Sequence, residues 1–238
     1  MGYKFRNIIS QIGIALFVIL FVLEMVVLGY SATFYKADEK AIRVSHMKNV
    51  SCEGSYYLLK PDEDKDTHQG IIFYPGGKVE VRGYLPMAEK MAERGYTVAL
   101  CRMPFNLAFF DMNAYKAPVA NVKGVDEWYM MGHSLGGVAA GTCFNNHLSD
   151  FEGLILLGSY PLKSKEPENT LVIYGTQDLN MKTDMIHPKN EVLKLEGGNH
   201  AQFGNYGIQA GDGKATLSRE MQQNLAADKI VDFINRGK

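Results

Sequence analysis

The sequence predicts an α/β protein, with a mostly parallel sheet covered by helices on both faces and one N-terminal transmembrane helix in front of it. Three observations carry this expectation. From residue 70 onward, short apolar segments of strand length alternate with segments of helical character, the order that builds a parallel sheet with crossover helices. Several strand segments are built on continuous apolar runs, among them residues 70–74, 98–101 within 96–101 and 154–157 within 151–158, which suits strands buried on both faces. Residues 8–32 are almost wholly apolar, with Glu24 the one charge.

Residues 1–7 form a short basic tail with Lys4 and Arg6. About 20 helical residues span the ~30 Å hydrocarbon core of a bilayer, and residues 12–31 supply that length. The apolar core of a signal peptide runs to about 7–15 residues. The longer run here favours an uncleaved anchor over residues 8–32, with a signal cleaved after Gly29-Tyr30-Ser31 as the alternative. Lys36, Lys40 and Arg43 follow the span as Lys4 and Arg6 precede it, so the positive charges alone do not orient it. The short basic tail favours the tail inside and the following domain outside the cytoplasm. Residues 33–50 read as a polar juxtamembrane connector with a first strand at 42–46, and residues 51–238 as one domain without an internal boundary or repeat. A fragment starting near Ser51 is therefore expected to be soluble.

Within the domain, residues 55–60 read as a strand, 61–68 as a charged, solvated hairpin turn, and 70–74 as the next strand. Asp62, Glu63, Asp64 and Asp66 lack the spacing of a calcium loop. Residues 85–94 form a helix closed by Gly95, and 96–101 a strand. Residues 102–123 are aromatic-rich (Phe105, Phe109, Phe110, Tyr115) and neither cleanly helical nor extended. Further strands follow at 128–131, 151–158, 170–175 and 190–195. A closing helix at 221–234 has Ser218 as N-cap and Leu225, Ile230, Phe233 and Ile234 on its inner face. A net charge of −1 leaves no electrostatic footprint for nucleic acid. Cys52, Cys101 and Cys143 have no metal-ligand spacing, and an odd number cannot all pair; Cys101 and Cys143 read as buried free thiols.

Gly132-His133-Ser134-Leu135-Gly136, between the apolar strand 128–131 and the small-residue helix 138–144, fits the G-x-S-x-G turn that exposes a nucleophilic serine. Alone the motif is weak, because three fixed positions in five recur by chance; its flanks strengthen it. Glycines two residues either side leave room for a strained strand-to-helix turn, and the helix start behind Ser134 offers free N–H groups to a developing oxyanion.

A serine hydroxyl needs a base, and the base needs an orienting acid. Catalytic groups in parallel sheets sit past the carboxyl ends of strands. Asp178 follows the strand 170–175 and His200 follows the strand 190–195, giving the chain order Ser134, Asp178, His200. Asp184, on the same loop as Asp178 but farther from the strand, is the rival acid. His187 is the competing histidine; His133 lies inside the turn and points away from Ser134, and His147 ends the following helix. The oxyanion donors are expected to be the Leu135 N–H and one from the turn Pro75-Gly76-Gly77-Lys78, Gly77 first and Lys78 as the alternative.

These pieces resemble the α/β-hydrolase fold family, and within it the compact bacterial dienelactone hydrolase-like group. The matching stretches are Phe73-Tyr74-Pro75-Gly76-Gly77, Gly132 to Gly137, Tyr174-Gly175-Thr176-Gln177-Asp178 and Gly197 to Phe203, spread over residues 70–205. Dienelactone hydrolases carry a cysteine nucleophile where this chain has Ser134, so the resemblance favours a general carboxylester or thioester over a lactone. It implies a serine hydrolase that turns over a small acyl substrate with no cofactor and no metal, and the apolar run at 8–32 adds the expectation that it is membrane-anchored. An acyltransferase with the same triad and a non-catalytic, membrane-tethered binding module remain the alternatives. The gap at residues 159–169 is too short for a helical lid, so the cap is minimal and the site is expected to be open, to favour short acyl groups and to show no interfacial activation.

Overall fold

The computed structural model describes residues 2–163 and 165–236; Met1 of the basic tail, Ser164, and Gly237 and Lys238 at the end of the domain lie outside it. The chain divides into two compact units, Met1–Phe34 and Tyr35–Lys238. The first is the helix α1 (Gly2–Ala32). Its stretch Asn7–Tyr30 has a mean hydropathy of 2.8 and none of it is buried, so it is long and apolar enough to cross a membrane.

The second unit is built on one eight-stranded sheet. Its strands are β1 (Val50–Cys52), β2 (Tyr56–Leu59), β3 (Gln69–Tyr74), β4 (Thr97–Cys101), β5 (Glu127–His133), β6 (Gly153–Leu157), β7 (Thr170–Gly175) and β8 (Glu191–Leu195), in the spatial order β1-β2-β4-β3-β5-β6-β7-β8. From β4 across to β8 all neighbours run parallel, and β1 and β2 are antiparallel additions at one edge. Alternate residues of the central strands feed two cores. Ile71 and Phe73 join one with Leu85, Met87 and Met91 of α3 (Leu85–Ala92) and Ile230 and Phe233 of α6 (Arg219–Ile234). Ile72 and Tyr74 join the other with Ala139, Ala140, Cys143 and Phe144 of α5 (Ser134–Asn146). Both faces are covered, which is why the strands read as unbroken apolar runs.

The structure departs from the sequence reading at three places. Residues 42–46 are not a strand. Glu39–Val44 is a short helix, α2, because the Asp38 side chain accepts from the Ala41 N–H and so caps it, and Ala41 and Val44, three apart, are the buried pair. The alternation Ile42, Val44, His46 had mimicked a strand. The turn at 61–68 does not close a hairpin either: β2 pairs with β4, since β3 is occupied on both edges by β4 and β5. Leu225 is 41% exposed, because α6 buries the stripe Gln222, Ala226, Ile230 and Phe233, and Leu225 lies off it. The aromatic-rich segment resolves into two single 3₁₀ turns and the helix α4 (Lys116–Asn121). As expected, Cys101 and Cys143 are buried and unpaired.

The compact unit begins at Tyr35, ahead of residue 51. Asp38 pairs with Arg219 and accepts from Asn205, Lys40 pairs with Glu220, and Glu220 also holds Lys90 of α3. Burial of Val44 and Ala41 alone stabilises this segment by roughly 2–4 kcal/mol, a large share of an ordinary domain's 5–15 kcal/mol or so. A fragment starting at Tyr35 should therefore melt higher than one starting at Ser51, by about 5–15 °C at roughly 2–4 °C per kcal/mol. Equal melting temperatures in calorimetry would show that residues 35–50 contribute nothing to the domain.

Candidate active site

Ser134 sits where β5 passes into α5, at φ +52°, a left-handed backbone that a serine adopts only under constraint. Two glycines make the turn feasible. A Cβ on Gly132 would stand 2.5 Å from the Gly136 carbonyl oxygen, and one on Gly136 would run into the carbonyl oxygens of Tyr74 and Pro75. The elbow is thus pressed against the end of β3, and the Ser159 hydroxyl, just past β6, donates to the Ser134 carbonyl at 2.9 Å.

Asp178 lies three residues past β7 and His200 five past β8. Both are buried, and His200 Nδ1 stands 2.7 Å from Asp178 Oδ2. A carboxylate only accepts, so Nδ1 carries the proton and Nε2 keeps its lone pair. Asp178 Oδ1 accepts from the Asn180 N–H at 2.9 Å, which fixes the carboxylate plane. Asp184 is exposed in a 3₁₀ turn, and His187 is engaged within its own loop with Lys189 and Asn190. Neither rival meets Asp178 or His200 through a hydrogen bond. Among the described residues, no hydrogen bond joins the Ser134 hydroxyl to His200; such bonds commonly tighten only when substrate is bound.

Gly77 and Leu135 are brought together. A Cβ on Gly77 would lie 2.7 Å from Leu135 Cδ2. The Lys78 N–H is committed to the Asn106 carbonyl at 2.9 Å, whereas the N–H groups of Gly77 and Leu135 have no hydrogen-bond acceptor among the described residues. Leu135 is in the first turn of α5, where helix N–H groups are free.

The family whose model matches residues 70–224, more than half of the chain, is described as the alpha/beta hydrolase family. The chain belongs to the alpha/beta hydrolase family. Comparison with curated protein sequences returns no significant match. Solved structures share the fold at low identity. Est1E from Butyrivibrio proteoclasticus superposes with a TM-score of 0.56 at 14% identity, over 79% of this chain and 98% of that one. The carboxylesterase CesB from Bacillus subtilis gives 0.55 at 9%, over 84% and 96%. A predicted CIB-like hydrolase from Thermoplasma acidophilum gives 0.51 at 14%, over 77% and 96%.

This α/β hydrolase also carries supporting groups that sequence reasoning missed. His133, wholly buried, sets its Nε2 3.1 Å from the His200 carbonyl and its Nδ1 2.8 Å from the Tyr84 hydroxyl. The carbonyl can only accept, so His133 carries its proton on Nε2 and accepts from Tyr84 at Nδ1. The Tyr84 hydroxyl in turn accepts from the Gly76 N–H at 3.1 Å. Burial first, and the His200 ring second, hold the His133 pKa well below the usual histidine range, so this link stays neutral. It ties the glycine turn to the backbone of His200. Asp212 clamps the same loop from the other side, accepting from the His200 N–H at 3.1 Å and the Ala201 N–H at 2.8 Å. Asp212 lies 12 residues beyond His200 in a glycine-rich loop, and nothing in its sequence context marks it. His133 was visible as part of the motif, but its partners were not. Among the described residues, no group of three or more His, Cys, Asp or Glu side chains is placed to hold a metal ion.

Proposed function

We propose that the protein is a membrane-anchored serine hydrolase that cleaves a carboxylester or related acyl compound through an acyl-enzyme. Ser134 attacks the carbonyl carbon as His200 Nε2 takes its proton. Asp178 holds the imidazole in the required tautomer and stabilises its charged form. The Gly77 and Leu135 N–H groups receive the oxyanion. The tetrahedral intermediate collapses as His200 returns the proton to the leaving oxygen, and the same base then activates water to release the acid. The observation that carries this reading is the buried His200–Asp178 pair at 2.7 Å, set at the strand ends beside a serine elbow at φ +52°.

Two further facts support the substrate class and the anchor. Est1E is also known with ferulic acid bound, and CesB is a carboxylesterase, which favours an ester here. The unburied apolar stretch Asn7–Tyr30 supports a single-pass anchor, and the short basic tail an extracytoplasmic domain. The test is a fluorophosphonate probe, with the adduct mapped by mass spectrometry, beside a series of p-nitrophenyl esters. Labelling at Ser134 and release of p-nitrophenol are expected. Folded protein that takes up no probe and turns over no ester would overturn the reading.

A further inference from the structure

Three phenylalanines of one loop stand at the surface: Phe105, Phe109 and Phe110 are 47%, 48% and 52% exposed. On the loop after His200, Ile208 is 91% exposed. Scattered apolar residues on a surface are ordinary, but here the Phe105 and Phe110 rings pack edge to face at 5.4 Å while both stay about half exposed, with the exposed Phe109 next in the chain to Phe110, an apolar surface that water disfavours. The loop also keeps this shape against its backbone preference, since Phe105 and Asn106 take φ +54° and +55° in succession.

One residue links this loop to the site and to Tyr35, where the domain begins. The Lys78 N–H donates to Asn106 at 2.9 Å, and the Lys78 carbonyl accepts from the Tyr35 N–H at 2.8 Å. Gly77, the proposed oxyanion donor, immediately precedes Lys78. The Tyr35 hydroxyl accepts from the Ala210 N–H at 3.1 Å, two residues beyond Ile208. The aromatic loop, the Ile208 loop and the residue at which the chain joins the domain therefore meet at the rim of one site. The apolar stretch ends at Tyr30. Five residues of fully extended chain reach at most about 18 Å, so a bilayer crossed by that stretch lies within short reach of the rim.

We propose that this rim docks on a lipid bilayer, with Phe105, Phe109, Phe110 and Ile208 at the boundary between headgroups and acyl chains, and that the substrate is an amphipathic ester taken from that bilayer. The proposal rests on the reading of residues 8–32 as a retained anchor and of Ser134 as nucleophile. Aromatic and aliphatic side chains at a loop rim suit this boundary, and the chain itself supplies the membrane. The proposal stands against the expectation, drawn from the short gap at 159–169, that the site favours short acyl groups and shows no interfacial activation, and the test below decides between them.

The test uses full-length protein in phosphatidylcholine–phosphatidylglycerol vesicles. Phe110→Trp should add fluorescence, relative to the parent, that brominated acyl chains quench at least two-fold. Phe109→Ser with Ile208→Ser should lower turnover of vesicle-borne p-nitrophenyl palmitate ten-fold or more and turnover of soluble p-nitrophenyl acetate less than two-fold. An unquenched tryptophan, or equal losses on both esters, would overturn the proposal. Cross-linking between copies through Phe109→Cys without quenching would assign the patch to a second copy and overturn it as well. Release of the protein by a carbonate wash would remove the anchor, and the proposal with it. Quenching with neither ester turned over would uphold the docking surface and overturn the catalytic reading and the substrate.

Discussion

Ser134→Ala and His200→Ala are each expected to lower turnover by about 10⁴-fold or more, and the double variant by no more than the worse single one. The reason is that the two groups act in one step: without the base the hydroxyl holds its proton, and without the hydroxyl the base has nothing to deprotonate. Both changes should leave the fold intact. Ser134 is only partly buried, and alanine keeps the Ser134 carbonyl that Ser159 bonds. The measurement is kcat/KM on a soluble ester, with the circular dichroism melt as the control for folding. A single variant that keeps a tenth of its activity while folded would remove that residue from the triad.

Asp178→Asn is expected to cost about 10³–10⁴-fold in kcat, whereas Asp184→Asn should change it less than two-fold. An asparagine keeps the size of the side chain but presents an amide that can donate towards Nδ1, and an imidazole protonated on Nε2 cannot accept the serine proton. Asp184 makes no such contact, being exposed on its own turn. Should Asp184→Asn prove the more damaging, the orienting acid would be Asp184, and the 2.7 Å pair would be a structural contact alone.

The parallel sheet was legible because burial on both faces writes itself as continuous apolar runs, and the elbow because its glycines are demanded by backbone contact. That Asp178 and His200 meet was legible from their place after successive strands. What escaped was of two kinds. α2 is held by one cap and two buried residues, too few for a period to declare itself, and Ile42 and Val44 imitate a strand. Asp212, Tyr84 and Ser159 support the site through backbone groups of distant segments, and a carboxylate that accepts from two main-chain N–H groups has no sequence signature. The exposure of Phe105, Phe109 and Phe110 was equally beyond reach, because aromatic rings in a sequence are as consistent with a core as with a rim.

The clasp of Lys40 and Lys90 on Glu220 has a consequence for the order of biosynthesis. Lys40 waits 180 residues for its partner, and at about 5–20 residues per second that interval is roughly 10–40 s. During that time the residues from Tyr35 to Val44 still lack Arg219 and Glu220. The segment that opens the domain is therefore among the last to be secured, and the nascent chain remains open at this seam until α6 has left the ribosome.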